Sequence, residues 1–372
     1  MRAVFHYWKN TDIYLLLLAL LCSGISLVLV YSTTYSSGSL TRFHVQLGAI
    51  LIGIVSFIVV SIIDLEGMAR YWKWFYGLNI LLQLTLYTPF GFSEGGNHSW
   101  LRFGPVGSSI GVQPAEIGKV IFICTFAAHL SSVFDNLNHW RTLLPLGVHL
   151  MILVGIIMVS SDDAGMALAY VAIAAIMLFA AGLSLKWFAG GLVLLVAAVP
   201  FIWRMMNSYQ VSRILVLFDP SIDPDTYYQT LQSKIALGAG QLTGQGFLQG
   251  NQVQYGILPT SSTDFIFSSA GEEFGFAGCA LILTLLCLLI LRLFYVSYTG
   301  ATTFSTLVAS GIAGMFLFQT FINVFMCLGM FPVIGLTLPL FSYGGSSVVT
   351  MYTALGLAAG VRMREKPSWL QH

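Results

Sequence analysis

The sequence predicts an all-α polytopic integral membrane protein with about ten transmembrane helices. Of its 372 residues, 57% are hydrophobic and 8% are charged, whereas soluble domains carry about 25% charged residues. A mean hydropathy of +0.83 leaves more apolar side chain than one aqueous core can bury. Apolar runs long enough to cross a bilayer as a helix, which takes about 20 residues, recur along the chain. The lipid bilayer is therefore the predicted solvent.

The ten predicted spans are bounded by charged residues, by Gly and Pro, or by polar clusters. The run from Ile13 to Tyr31 is longer than the apolar region of a signal peptide and lacks a small-residue cleavage site, which predicts a retained helix. The fourth span is short and contains Lys119 and His129. The spans lie near residues 13–31, 45–63, 74–90, 117–132, 143–160, 164–182, 186–203, 268–292, 303–327 and 345–361.

One uncharged segment does not have the composition of a span. Ile235 to Thr263 contains no Asp, Glu, Lys or Arg, but it contains six glycines and five glutamines. Unpaired backbone is costly in hydrocarbon, so such a segment belongs in water, against protein or in the interface. The sequence therefore predicts a long external loop at about 204–264, between spans seven and eight, within a single membrane domain of residues 1–372.

The distribution of basic residues predicts the orientation. Ten spans place both termini on one side, and that side carries ten basic residues against six on the other. By the positive-inside rule the termini are predicted to be cytoplasmic and the long loop external. The ten are Arg2, Lys9, Arg70, Lys73, Arg141, Lys186, Arg292, Arg362, Arg364 and Lys366, and the six are Arg42, Arg102, Lys119, Arg204, Arg213 and Lys234.

Several function classes find no support in the sequence. A net charge of +1 provides no basic surface for nucleic acid, so no nucleic-acid partner is expected. The five cysteines lie in apolar stretches and are expected to be inert. We find no His/Cys/Asp metal spacing, no phosphate-binding loop ending in Gly-Lys-Ser/Thr and no Gly-x-Ser-x-Gly elbow.

Asp264 is the strongest candidate for catalysis. It follows the glycine-rich segment in Pro259-Thr-Ser-Ser-Thr-Asp264 and immediately precedes Phe265-Ile-Phe. Partial burial would raise the pKa of this carboxyl and make it a better base, able to take a proton from a sugar or lipid hydroxyl. The alternative is that Asp264 only caps the N-terminus of span eight.

Two further polar groups belong to the predicted external face. Asp162 and Asp163 stand between spans five and six, where they either serve a substrate or cap the next helix. Glu116 and Lys119 are three residues apart after Pro114, so they share a helix face as an ion pair, with a functional or a structural role.

These segments resemble the SEDS family (shape, elongation, division and sporulation), which is represented by RodA, FtsW and SpoVE, over essentially the whole chain. Lys234 in Gln-Ser-Lys-Ile-Ala resembles the RodA members more than the division paralogues. The matching motifs are Trp100-Leu-Arg, Val112-Gln-Pro-Ala-Glu116-Ile-Gly-Lys119, Asp163-Ala-Gly165, Gln232-Ser-Lys-Ile-Ala-Leu-Gly-Ala-Gly240, Gly244-Gln-Gly246, Thr263-Asp-Phe-Ile-Phe267, Glu272-Glu-Phe-Gly275 and Pro332-Val-Ile-Gly-Leu-Thr-Leu-Pro-Leu-Phe-Ser-Tyr-Gly-Gly-Ser346.

The resemblance implies a peptidoglycan glycosyltransferase. Such enzymes polymerise lipid II, a disaccharide peptide on undecaprenyl pyrophosphate, at the outer face of the cytoplasmic membrane, beside a class B penicillin-binding protein that crosslinks the strands. For this chain it implies a role in cell-wall elongation and cell shape. The family's essential acidic residue falls on Asp264. The positions expected to bind or support the substrate are Asp163, Glu116, Lys119, Arg102 and Lys234.

One departure from the family pattern concerns the residues before Asp264. Many relatives have Pro-Glu-x-His-Thr-Asp, whereas this chain has Thr260, Ser261 and Ser262 in place of Glu-x-His. Any tuning of the base by that Glu or His does not transfer to this chain.

The chemistry expected is an inverting glycosyl transfer. A pyrophosphate leaving group needs its charge balanced, but it needs no second, acidic carboxyl of the kind glycosidases use. Arg102, Lys119 or Lys234, or a divalent cation such as Mg²⁺ or Mn²⁺ held by Asp264 or Asp163, would balance that charge. The rival hypotheses are a flippase for the lipid-linked precursor and a non-catalytic scaffold. We expect the partner's membrane helix on the lipid-facing surface of spans eight and nine. On span nine, Ala309, Gly311, Ala313 and Gly314 permit close approach, unless these residues pack within the bundle.

Overall fold

A computed structural model describes residues 11–35, 38–94, 97–102 and 111–363. Fourteen α-helices and three short strands occur in these ranges. The helices are α1 (Ile13–Tyr35), α2 (Thr41–Ile62), α3 (Leu65–Ala69), α4 (Trp72–Leu84), α5 (Pro114–Ser132), α6 (Trp140–Ser161), α7 (Ala164–Ala180), α8 (Leu185–Met205), α9 (Ser208–Leu215), α10 (Pro224–Ala239), α11 (Asn251–Gln254), α12 (Ile266–Tyr298), α13 (Thr303–Cys327) and α14 (Gly345–Met363). The strands are β1 (Gly91–Glu94), β2 (Asn97–Arg102) and β3 (Gly111–Val112).

Ten of these helices coincide with the ten predicted spans. Seven are long and apolar enough to cross a membrane on length and composition: α1, α2, α5, α6, α8, α12 and α13. The other three are α4, α7 and α14, with 13, 17 and 19 residues. The polytopic α-helical class is therefore confirmed.

The purely α-helical description misses one small sheet. Between α4 and α5, the strands pair antiparallel in the order β1-β2-β3, with Gly91 opposite Leu101 and Leu101 opposite Val112. The predicted third span at 74–90 stops short accordingly, because α4 ends at Leu84 and a 3₁₀ turn ends at Tyr87. Strands of two to six residues show too few alternations to be recognised from hydrophobic periodicity.

The predicted loop at 204–264, between spans seven and eight, includes helical segments. It contains α9, α10 and α11. Helix α10 begins at Pro224 because Asp223 caps it, accepting hydrogen bonds from the backbone N–H and the hydroxyl of Thr226 at 3.1 and 2.9 Å.

The glycine-rich part of this segment packs against a break in α12. Gly275 has φ of 66° and interrupts the helix. The freed backbone groups bond to the turn: the Gln245 and Gly246 amides donate to residues 272 and 273, and the Phe276 amide donates to residue 241. At Gly244, where φ is 82°, a Cβ would collide with the backbone of Glu273. Glycine is needed here for close backbone approach.

Small residues on α13 pack inside the bundle, which is the alternative given above for span nine. A Cβ on Gly311 would lie 2.8 Å from Ile123 and from Met177, and one on Gly314 would lie 2.9 Å from Ile176. Ala309 and Ala313 are fully buried. The small residues therefore join α13 to α5 and α7 instead of offering a surface to a partner.

The two ends of the described chain meet at one end of the bundle. Thr11 donates a hydrogen bond to the sulfur of Met363 at 3.2 Å. Asp12, before α1, pairs with Arg292 of α12 at 2.9 Å and with Arg362 of α14 at 3.1 Å. An even number of crossings follows, as expected from ten spans. Four of the ten basic residues counted for this side, Arg2, Lys9, Arg364 and Lys366, lie outside the described residues.

Candidate active site

Asp264 lies at the opposite end of the bundle, immediately before α12. Its backbone carbonyl accepts hydrogen bonds from the Asn323 amide group at 2.9 Å and from the Cys327 thiol at 3.6 Å, both on α13. The preceding carbonyl, of Thr263, accepts one from the Ser342 hydroxyl at 2.7 Å. The backbone on both sides of the Asp264 side chain is therefore held by distant parts of the chain.

The carboxylate of Asp264 has no hydrogen bond or ion pair within the described ranges. The side chain is half-buried, and Phe265 and Ile266 beside it are fully buried. Burial raises the pKa of Asp264 to about 6, although the positive charge of Arg213 acts in the opposite direction. The N-cap of α12 is Phe265, with no side-chain capping bond, so the capping alternative for Asp264 is wrong.

Asp163 has its carboxylate fully engaged. It is the N-cap of α7, where Oδ1 accepts the Met166 amide at 2.9 Å, and Oδ2 accepts the side-chain amide of Gln113 at 3.0 Å. Burial raises its pKa to about 6; the negative charge of Glu116 adds to this, while the Met166 bond and the charges of Lys119 and Arg213 oppose it. The capping role expected as one alternative is confirmed, and Asp163 also ties α7 to the start of α5.

The ion pair predicted on α5 is present. Nζ of Lys119 lies 3.0 Å from Oε1 of Glu116, with side-chain exposures of 0% and 3%. The other carboxylate oxygen, Oε2, has no partner among the described atoms. A buried pair of this kind persists only when the surrounding packing positions both charges.

A polar cluster at Gly118 provides that positioning. Asn79 of α4 donates to the Gly118 carbonyl at 3.0 Å, Gln83 donates to the Pro114 carbonyl at 3.2 Å, and the Tyr170 hydroxyl donates to the Ala115 carbonyl at 3.1 Å. A Cβ at Gly118 would lie 2.5 to 2.6 Å from polar atoms of all three side chains. The start of α5 is therefore fixed between α4 and α7.

Sequence reasoning counted Arg213 only as an external charge, but the structure places it at the site. This α9 residue lines the same cavity as Asp163, and its positive charge opposes the rise that burial causes in the pKa of Asp163 and of Asp264. It stacks on Tyr209, with Cζ 4.2 Å from the ring centroid, and donates to the Tyr209 hydroxyl. Its Nε is buried without a partner among the described residues.

Asp162 holds α9, and therefore Arg213, in place. Its backbone is left-handed (φ 54°) at the end of α6. Its carboxylate accepts hydrogen bonds from Asn207 at 2.5 Å and from Gln210 at 2.9 Å. A cavity of about 240 Å³ lies between α9, the start of α7 and the segment that follows α13, lined by Asp162, Asp163, Gly165, Gln210, Arg213 and Pro332 among others.

Two predicted site residues have no bond to the carboxylates within the described residues. Arg102 lies on β2 and stacks on Phe92, with Cζ 4.4 Å from the ring centroid. Lys234 is exposed on α10, and its side chain passes beside Gly329, just beyond α13. By contrast Arg42, which was also not singled out, donates to the Ser262 hydroxyl at 3.3 Å, two residues before Asp264.

No group of three or more His, Cys, Asp or Glu side chains suited to a metal occurs in the described part of the chain. Mg²⁺, however, commonly takes only one or two carboxylates and completes its shell with phosphate oxygens and water. The free carboxylate of Asp264 fits that ligand set better than Asp163, whose two oxygens already accept hydrogen bonds.

The fold and this site define a polytopic helical membrane protein with a half-buried carboxylate and a cation at one end of the bundle. The chain belongs to the FtsW/RodA/SpoVE family, whose model, described as "Cell cycle protein", matches residues 11–367.

Similar proteins extend over nearly the whole chain. The peptidoglycan glycosyltransferase MrdB of Escherichia coli K12 is 32% identical over 357 residues, covering 95% of this chain and 93% of that protein. A probable peptidoglycan glycosyltransferase FtsW of Trichlorobacter lovleyi is 34% identical, with 94% and 92% covered. A solved chain from a peptidoglycan synthase complex that coordinates polymerization and crosslinking has a TM-score of 0.79 and 27% identity, with 95% and 98% covered. The fold of Thermus thermophilus RodA matches with a TM-score of 0.70 at 24% identity, with 97% and 99% covered.

Proposed function

We propose that this chain is a peptidoglycan glycosyltransferase that polymerises lipid II at the outer face of the cytoplasmic membrane, in cell-wall elongation and the maintenance of cell shape. The relatives named for this activity support the class. The observation that carries the proposal is the Asp264 carboxylate, which is half-buried and unbonded among the described residues and whose pKa responds to the positive charge of Arg213.

Asp264 acts as the general base. It takes the proton from the acceptor sugar hydroxyl, and the oxygen forms a bond to the anomeric carbon of the donor. The bond from that carbon to the pyrophosphate oxygen breaks, and undecaprenyl pyrophosphate leaves with inversion at the anomeric carbon. A pKa of about 6 keeps Asp264 ionised near neutral pH while leaving it more basic than an exposed carboxylate.

Positive charge stabilises the departing pyrophosphate. Arg213 has a buried Nε without a described partner and faces the cavity beside Asp163. A guanidinium binds phosphate oxygens through two parallel hydrogen bonds, which makes it the preferred residue for this task. A Mg²⁺ or Mn²⁺ ion held by Asp264 would supply further positive charge to the same oxygens.

The remaining predicted residues support the site. Asp163 positions Gln113 and α7, and Glu116 with Lys119 positions the start of α5. Lys234 and Arg102 are proposed to contact the substrate's charged groups from outside the cavity.

A class B penicillin-binding protein is the proposed partner. Because the small residues of α13 are buried, the proposed docking surface is the exposed apolar face of α12, the other of the two predicted spans, which includes Leu281, Leu288 and Leu291. Charged substitutions on that face should abolish co-purification of the partner without unfolding the chain. Co-purification that is unchanged by Leu288→Glu and Leu291→Glu would contradict this placement.

One experiment separates the three functions. Purified protein in detergent receives fluorescent lipid II, with and without the penicillin-binding protein, and glycan chains are resolved on a gel. A polymerase makes chains. A scaffold makes none under either condition, and a flippase moves lipid II across liposomes without lengthening it. Absence of chains with a folded protein and its partner would overturn the proposal.

A further inference from the structure

An apolar cavity of about 180 Å³ lies at the end of the bundle away from Asp264. Helices α2 and α4 do not pack closely against each other, and the cavity occupies the cleft between them. Residues of α5 and α14 line the cavity on the side facing the bundle interior. Residues of α3 and of the start of α13 complete the lining. Its lining includes Ile63, Met68, Trp72, Phe75, Ile121 and Leu357.

The chemistry of the lining favours a flexible hydrocarbon chain over a protein helix. Helices that dock in membranes approach through small residues, whereas large side chains such as Met68, Trp72 and Phe75 line this cleft. Thr125 and Thr353 are the polar residues in the lining, and Thr125 donates its hydroxyl to the Phe122 carbonyl at 3.1 Å.

Basic and aromatic residues stand where the chain passes from α3 to α4. Arg70 and Lys73 are exposed, and the ion pairs found among the described residues include neither. Nζ of Lys73 lies 5.8 Å from the ring centroid of Trp72, which itself lines the cavity. Tyr71 and Trp74 are exposed next to them. Aromatic rings of this kind mark headgroup depth in a bilayer.

We infer that this cleft binds one anionic phospholipid of the leaflet opposite the active site, with an acyl chain between α2 and α4 and the phosphate headgroup on Arg70 and Lys73. The acidic residues Asp64 and Glu66 precede α3 or lie in its first turn, before the two basic residues. Basic residues near the membrane surface attract anionic headgroups. Together, Arg70 and Lys73 should give an anionic lipid about a thirtyfold preference over a zwitterionic lipid.

Photocrosslinking tests the acyl-chain position. The full-length protein in nanodiscs is exposed to phosphatidylglycerol that carries a diazirine on one acyl chain, and labelled peptides are identified by mass spectrometry. The peptides containing Trp72 and Ile121 should be labelled, and unlabelled phosphatidylglycerol should compete about thirtyfold better than phosphatidylethanolamine. Helix α8, which has no buried residue in its span, reports random bilayer contact. Labelling of α8 and the cleft to the same extent would overturn the inference.

Matched variants test the headgroup position. Arg70→Gln with Lys73→Gln should remove the preference for phosphatidylglycerol, whereas Arg141→Gln with Lys186→Gln should keep it, because neither of these basic residues lines the cavity. All four substitutions are at exposed positions, so folding should survive, as thermal unfolding will show. An unchanged preference in the first pair would overturn the assignment.

Discussion

Replacing Asp264 by Asn removes the proposed base while keeping its shape. The carboxylate makes no hydrogen bond in the described structure. Asn323 and Cys327 donate their hydrogen bonds to the backbone carbonyl of Asp264, which the substitution leaves in place. The fold should therefore survive. Loss of a general base slows a reaction by roughly 10²–10⁴-fold, and that is the decrease we expect in the rate of lipid II polymerisation.

The same substitution should not destabilise the protein. Burial raises the pKa of Asp264 from 3.8 to about 6, so at neutral pH the ionised carboxylate lowers the free energy of unfolding. A shift of this size corresponds to at most about 3 kcal/mol, less after solvent screening of a half-buried group. An unchanged or higher melting temperature together with lost activity is the expected combination.

The pH profile gives a second measurement of the same group. A base must be deprotonated, so activity should fall as the pH decreases through about 6. From about 97% ionised at pH 7.5, Asp264 becomes about 9% ionised at pH 5, which predicts about a tenfold fall in kcat/KM. Any residual activity of Asp264→Asn should lack this acidic limb.

Asp219→Asn is the matched control. Asp219 is an exposed carboxylate on the same long segment, its pKa is lowered by hydrogen bonds from Ser221, and it lines no cavity described here. Its substitution should leave polymerisation unchanged. A folded Asp264→Asn protein that polymerises lipid II as fast as this control would refute the reasoning and leave Asp163 or Glu116 as candidates.

Three further predictions concern other parts of the molecule. Arg213→Gln should slow polymerisation and move the acidic limb of the kcat/KM profile to higher pH, because the guanidinium of the unchanged protein holds the pKa of Asp264 lower than burial alone would. A limb at the same pH in the variant would contradict this. Gly118→Ala should lower the melting temperature, with a loss of about 1–3 kcal/mol from overpacking, because the new methyl group meets three polar side chains at 2.5 to 2.6 Å; Gly147→Ala, with no atom within 4 Å of its Cβ, is the control. Single cysteines at Ser221 and Lys186 should label oppositely with an impermeant maleimide on intact cells, Ser221 being accessible; equal labelling would overturn the predicted orientation.

The sequence alone determined the features that depend on local composition and short spacing. The ten apolar runs, the Glu116–Lys119 ion pair and the cap at Asp163 are all confirmed. Each depends on residues within one or two helical turns, or on a run long enough to cross hydrocarbon. The apolar neighbours of Asp264 also predicted its partial burial and raised pKa, which the structure confirms.

Tertiary structure decided which of several equivalent polar residues meet. Arg213 is one of six basic residues on its predicted face, and the hydrogen bonds from α9 to Asp162 hold it at the cavity that Asp163 also lines. The glycines at 240–246 have the composition of a loop. In the structure they allow this segment to pack directly against the backbone of α12 beside its break at Gly275. Small residues on α13 are compatible with a partner or with the bundle, and packing against α5 and α7 selects the bundle. Local patterns do not distinguish these cases, because each depends on contacts between segments far apart in the chain, which only the packed fold brings together.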